Sequence, residues 1–213
     1  MPSPTWDAER VSPDHIRQSA AICKASFVPA LEADWSVPAG PLDWTCRETL
    51  DHVNDALCYY CGQLATRSPV RRAPFRNGNP GSSTSDLLDS IESIAAILAT
   101  IATASSPDDR AYHRMGMSDA EGFLAMGCEE VLIHAWDIGQ GLGLHVTVPD
   151  DLAGAVVRRL FPWAPTNCAA WEAQLWCSDR IELPGQGKIG KWGWHGAPIA
   201  EWDGQRQPAT VFG

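Results

Sequence analysis

Between Gly127 and Gly143 the chain reads GCEEVLIHAWDIGQGLG, a helix-like apolar run into which Glu130, His134 and Asp137 have been set. At about 100° per residue, Leu124, Cys128, Val131, Ala135, Ile138 and Leu142 form one apolar stripe. With Glu130 as reference, His134 and Asp137 both lie within roughly 40° of it. Met126 and Ile133 fall on their far side. Glu129 turns away beside Gln140 and is expected to face solvent. A carboxylate and an imidazole between apolar stripes cost several kcal/mol unless something pairs with them. A metal ion is one such partner, because Glu and His four residues apart stand roughly 6 Å from each other and can address one cation.

Two donors from one helix do not close a metal site, so a third must come from another element. An earlier segment repeats the same stripe in Cys46, Leu50, Val53, Leu57, Tyr60 and Leu64. His52 sits on its flank, with Tyr59 and Gln63 on nearly the same bearing. His52 can therefore complete a His, Glu, His set across two helices. Spacing alone leaves a second reading open, in which His52 is a hydrogen-bonded structural histidine.

The elements that must position these residues are four long helical segments separated by Pro/Gly punctuation. The first is expected from Ser12, with Pro13 at its first helical position, to about Trp35. The second opens at a capping box, Thr45 to Glu48, and runs to about Arg67. The third covers roughly Ser83 to Ser105, and the fourth opens at a second capping box, Ser118 to Glu121, and fades at GQGLG. Such helices pack as a bundle. Beyond Pro149 the periodicity predicts short helices at Asp150 to Leu160 and around Ala169 to Cys177, a strand-like RIELP, and a Trp/Gly-rich tail. The expected fold class is mainly α: a four-helix bundle over 1–148 and a small α/β C-terminal extension over 149–213.

The segments WTCRETLDHVNDAL (Trp44 to Leu57) and EEVLIHAWDIGQGLG (Glu129 to Gly143) resemble the DinB-like metal-binding bundles, specifically the mycothiol-dependent maleylpyruvate isomerase branch. The resemblance covers roughly Ser12 to Leu144. It implies a divalent ion, usually zinc, held by His52, Glu130 and His134, and mycothiol as the thiol for S-conjugation or thiol-assisted isomerisation. Three protein ligands with one open position suit a catalytic zinc, where an arriving thiol becomes a thiolate. The same donor set also suits iron or nickel.

Asp137 is expected to support a ligand imidazole or grip the bound thiol, or else to pair with an arginine inside the bundle. Tyr59 is a further candidate donor, with an ordinary half-buried tyrosine as the plainer reading. Two other functions stay open on the same scaffold: a thiol-independent metallohydrolase, and a binding or stress protein that keeps the metal without chemistry. Past residue 145 the resemblance thins, which puts maleylpyruvate itself in doubt as the substrate. Arg158, Arg159 and Arg180 are candidate substrate arginines without a motif. Six of the ten tryptophans follow residue 160. A cluster sealing the tail onto the bundle is favoured over an aromatic pocket mouth.

A formal net charge of −10 disfavours nucleic acid and anionic membranes as partners. Small molecules remain: a substrate and a low-molecular-weight thiol, bound by a monomer or homodimer. Seven cysteines in helix-like segments and an opening MPSPTWDAERV without a leader pattern predict a reduced, cytoplasmic protein. No eighteen apolar residues run uninterrupted, so no span is expected. GQGKIG (Gly185 to Gly190) precedes a sequence that cannot be helical and is read as a turn. Cys58 and Cys61 are read as packing residues. The arginines at 67, 71, 72 and 76 are read as a solvated connector.

Overall fold

The computed structural model describes residues 6–206, so the first five residues of the opening stretch lie outside it. Four long helices, α1 (Pro13–Phe27), α2 (Cys46–Thr66), α3 (Thr84–Ala104) and α4 (Ala120–Leu142), form a bundle. A two-stranded antiparallel sheet, β1 (Ala111–His113) with β2 (Gly116–Ser118), sits between α3 and α4. Two shorter helices, α5 (Asp150–Leu160) and α6 (Ala170–Cys177), follow.

Local chemistry sets the ends. The Thr45 hydroxyl accepts from Glu48 N at 3.1 Å while Glu48 accepts from Thr45 N at 2.8 Å, a capping box that opens α2. Ser83 and Asp86 form another at the start of α3. Two boundaries differ from the sequence reading. First, α1 stops at Phe27 rather than near Trp35, because Pro29 cannot continue an α-helix and the chain tightens into a 3₁₀ turn over Val28–Ala30. Second, α4 is capped by Asp119, which accepts from Gly122 N at 2.9 Å, because Ser118 is spent as the last residue of β2 opposite Ala111. RIELP also departs from expectation: it makes only an isolated bridge, Leu183 to Gly187, and the Gly185–Gly190 stretch turns back with its glycines at positive φ.

α3 and α4 each lie against both α1 and α2, which places the second and fourth helices side by side. The stripe of α2 is wholly buried, and so is that of α4 as far as Ile138. Gly127 lets the four helices close on one another, since a Cβ there would stand 3.0 to 3.2 Å from Ile16, Leu98 and Leu57. α3 is long and apolar enough, at mean hydropathy 1.6, to cross a bilayer by length and composition. Leu87, Leu88, Ile91, Ala95, Leu98 and Ala99 are buried among the neighbouring helices, while Ile97 is exposed.

α5 packs on α4 and α6 on α5, so the buried apolar cluster continues from Val11 through the bundle to Trp194. This second layer covers the face of α4 that a plain bundle leaves wet. Glu129 is accordingly buried at 4 % exposure, not solvent-facing as its bearing suggested. The connector after α2 is solvated as expected at Arg67, Arg71 and Arg72, which are exposed, while Arg76 is held by Asp51 and Asp55; Arg67 also reaches Asp109 at 2.6 Å. The seven cysteines are free thiols. Burial pushes the Cys61 thiol up to about 12, consistent with a packing role.

Candidate metal centre

The adjacency of α2 and α4 brings His52, Glu130 and His134 together, with one donor atom from each within 4.8 Å of the others. Glu130 Oε2 stands 3.6 Å from His52 Nε2 and 3.4 Å from His134 Nε2. Both separations exceed a normal hydrogen bond. They match the roughly 3.3 to 3.6 Å between neighbouring donors that tetrahedral bonds of about 2.0 to 2.2 Å impose. The imidazoles meet edge to face with centroids 5.3 Å apart, both presenting Nε2 to the same carboxylate oxygen. The residues present therefore fit a divalent ion.

Each ligand candidate is braced from behind. The Tyr60 hydroxyl donates to Glu130 Oε1 at 2.9 Å, which leaves Oε2 for the histidines. His134 Nδ1 lies 3.0 Å from Asp137 Oδ2, so Nε2 is the free nitrogen. Asp137 is fully buried, and Arg180 donates to both its oxygens, Nε to Oδ1 at 2.7 Å and Nη2 to Oδ2 at 2.9 Å. The two roles weighed for Asp137, support of an imidazole and pairing with an arginine, are thus made by one carboxylate. His52 is braced by the Trp44 ring, 4.7 Å from its own.

Charge in the site is tightly coupled. Burial would raise the Glu130 pKa, but His134 and His52 outweigh it and hold the carboxyl well below its usual range. Burial would lower that of His134, yet Asp137 and then Glu130 push it up to about 9. For Glu129, burial dominates and pushes the carboxyl up to about 7, against the Ser178 hydroxyl and the Gln174 amide that donate to it.

The triad has two unlike sides. Glu130 and His134 line a small cavity of about 50 Å³, walled by Ile133, Trp192, Trp194 and Arg180. His52, 37 % exposed in its side chain, borders an open cleft of about 280 Å³ with Trp44, Asp51 and Asp55. Of the late tryptophans, 192 and 194 wall the cavity while Trp176 donates to Gly187 O at 2.8 Å in the tail itself, so both roles weighed for them occur. Tyr59 lies beside Tyr60, ring centroids 5.9 Å apart, outside the cavity wall. Gln63 instead ties β1 and the connector to α2, donating to Tyr112 O at 2.7 Å and accepting from Arg72 N at 2.9 Å.

Among the three arginines without a motif, Arg158 pairs with Glu121 at 3.4 Å, and the fully buried Arg159 with Asp119 at 2.7 Å. Only Arg180 reaches the site. Sequence reasoning missed Glu129 and Tyr60 as parts of the site. Tyr60 was legible only as a stripe residue, although its position eight after His52 puts it two turns along the same helix.

The family model for the mycothiol maleylpyruvate isomerase N-terminal domain matches residues 20–139. No curated protein matches the chain, and no solved structure does. The matched span takes in more than half of the chain and includes His52, Tyr60, Glu130, His134 and Asp137, whereas Ser178, Arg180 and the cavity tryptophans lie beyond it. The chain belongs to the mycothiol maleylpyruvate isomerase N-terminal domain family, a DinB-like family.

Proposed function

We propose that this chain is a cytoplasmic metalloenzyme that binds a divalent ion, zinc in the first instance, through His52, Glu130 and His134. It uses a low-molecular-weight thiol of the mycothiol kind to conjugate or isomerise a small electrophile. The observation that carries the reading is the convergence of two Nε2 atoms on one carboxylate oxygen at 3.4 and 3.6 Å, too long for hydrogen bonds and right for shared ligation. When bound, an ion there would lower the pKa of a thiol in the remaining position, so that it reacts as thiolate at neutral pH.

The chain's own residues supply the rest. Trp192, Trp194 and Ile133 narrow the inner cavity beside the polar groups of Glu130, His134 and Arg180, which suits a small electrophile. The outer cleft beside His52 is wider and polar, which suits a bulkier hydrophilic thiol. Asp137 and Tyr60 hold the ligand candidates from behind and line neither cavity. The net charge of −10 speaks against nucleic acid and membrane surfaces as partners, and the working form is taken as a monomer or homodimer.

Elemental analysis of the purified protein beside His52→Ala and His134→Ala tests the site, with near-stoichiometric metal expected in the parent and a large loss in each variant. Equal metal in all three refutes it. A conjugation screen pairing mycothiol with small electrophiles tests the chemistry. Metal-dependent hydrolysis without thiol turnover would replace the thiol reading with a metallohydrolase.

A further inference from the structure

Around its ligand candidates, α4 is gripped from outside the bundle by α6 and the residues just after it. Immediately after α6, Ser178 donates its hydroxyl to Glu129, the neighbour of Glu130. Two residues on, Arg180 forks onto Asp137, the partner of His134. Arg180 Nη1 also donates to Ser178 O at 2.7 Å, so the two grips form one unit. Both land on the only stretch of α4 that carries ligand candidates, and both come from residues outside the matched family span of 20–139.

A buried carboxylate is expensive unless its oxygens are satisfied. Asp137 has 0 % exposure, and its hydrogen bonds come from His134 Nδ1 and the Arg180 fork. Without the fork, both Asp137 oxygens would lose their guanidinium donors, and the carboxylate would be free to turn away from His134 Nδ1, releasing the ring from the orientation that frees Nε2. Supporting partners of this kind usually matter to metal affinity by about 10- to 100-fold.

Resting on the metal reading of the triad, we infer that Arg180 is a positioning residue: acting through Asp137, it fixes the His134 ring, so that the C-terminal segment completes a metal site whose ligands all lie in the bundle.

The test compares zinc affinity, by competition with a chelating indicator, in the parent, Arg180→Ala, Arg180→Lys and Arg158→Ala. Arg158 also ties the extension to α4, at Glu121, but away from the triad. Arg180→Ala is expected to bind zinc about 10- to 100-fold more weakly. Arg180→Lys should recover part of the loss, since an ammonium restores charge but not the two-nitrogen fork. Arg158→Ala should bind as the parent does. The metal-free proteins supply a second readout: the downfield His134 Nδ1–H proton resonance should be sharp in the parent and lost or exchange-broadened in Arg180→Ala. Undiminished zinc affinity in Arg180→Ala, an equal loss in Arg158→Ala, or a resonance unchanged by Arg180→Ala would each overturn the inference. A parent that binds no zinc would end the metal reading, and the resonance comparison would still decide whether Arg180 positions His134.

Discussion

Tyr60 and Glu130, seventy residues apart, share a hydrogen bond of 2.9 Å that commits one carboxylate oxygen to the phenol and turns the other toward both imidazoles. The phenol is buried, and burial together with the neighbouring carboxylate raises its pKa well above the ordinary value, so it acts as a donor at every working pH. Tyr60→Phe keeps the ring and removes the donor. The variant is expected to lose about 1 to 2 kcal/mol of stability, from a buried oxygen left unsatisfied. Its zinc affinity should fall by about tenfold or more as the carboxylate gains freedom. Denaturant titration and indicator competition measure the two effects.

Metal removal should register as lost stability, because an ion held by α2 and α4 together binds the folded chain only. With free zinc at a hundred times its dissociation constant, the expected gain is about 2.7 kcal/mol over the chelated protein. Urea unfolding with and without chelator reads it directly. Superimposed curves would mean that no ion joins the two helices.

His113 gives the protein a pH dependence whose sign follows from its burial. It stacks on Trp194 at 5.6 Å, and burial lowers its pKa from 6.5 to about 4. Between those values the unfolded chain takes up a proton that the folded chain refuses. Stability is therefore undiminished above pH 6.5 and declines as pH falls toward 4, by roughly 3 kcal/mol in total. In His113→Gln, the difference in unfolding free energy between pH 7.5 and pH 4.5 should shrink by about 2 to 3 kcal/mol relative to the parent. An unchanged difference would mean that the imidazole titrates alike in both states.

Gly141 lets the last turn of α4 touch the start of α2. A Cβ there would fall 2.3 Å from Pro38 O and 2.6 Å from Cys46 Sγ, and the first of these is backbone that cannot swing aside. Gly141→Ala should cost about 1 to 3 kcal/mol. By prising apart the two helices that carry the ligand candidates, it should also weaken zinc binding. Gly143→Ala meets nothing within 4 Å, but its φ of 68° strains any side chain, so it should destabilise through backbone alone. A calorimetric and metal-binding comparison of the two separates these causes.

Much of this protein was written locally. The stripe periodicity of α2 and α4, the Thr45–Glu48 box and the glycine breaks depend on residues within a turn or two of one another, so the sequence alone pointed to the bundle and put His52 on the flank of one stripe and Glu130 and His134 on the flank of another. At the end of α1 one proline outweighs a continuing apolar pattern, and the helix stops at Phe27. Other features depended on long-range packing. The burial of Glu129 needs α5 and α6 to fold over α4, and its partners Gln174 and Ser178 lie 45 and 49 residues away. Arg180 reaches Asp137 across 43 residues, with no spacing rule to reveal it among three equivalent arginines. Periodicity reports which face of a helix is apolar. Which neighbour covers that face, and which charge meets a buried carboxylate there, is decided only when the whole chain closes, because burying an ion is tolerable only at the place where its partner arrives with it.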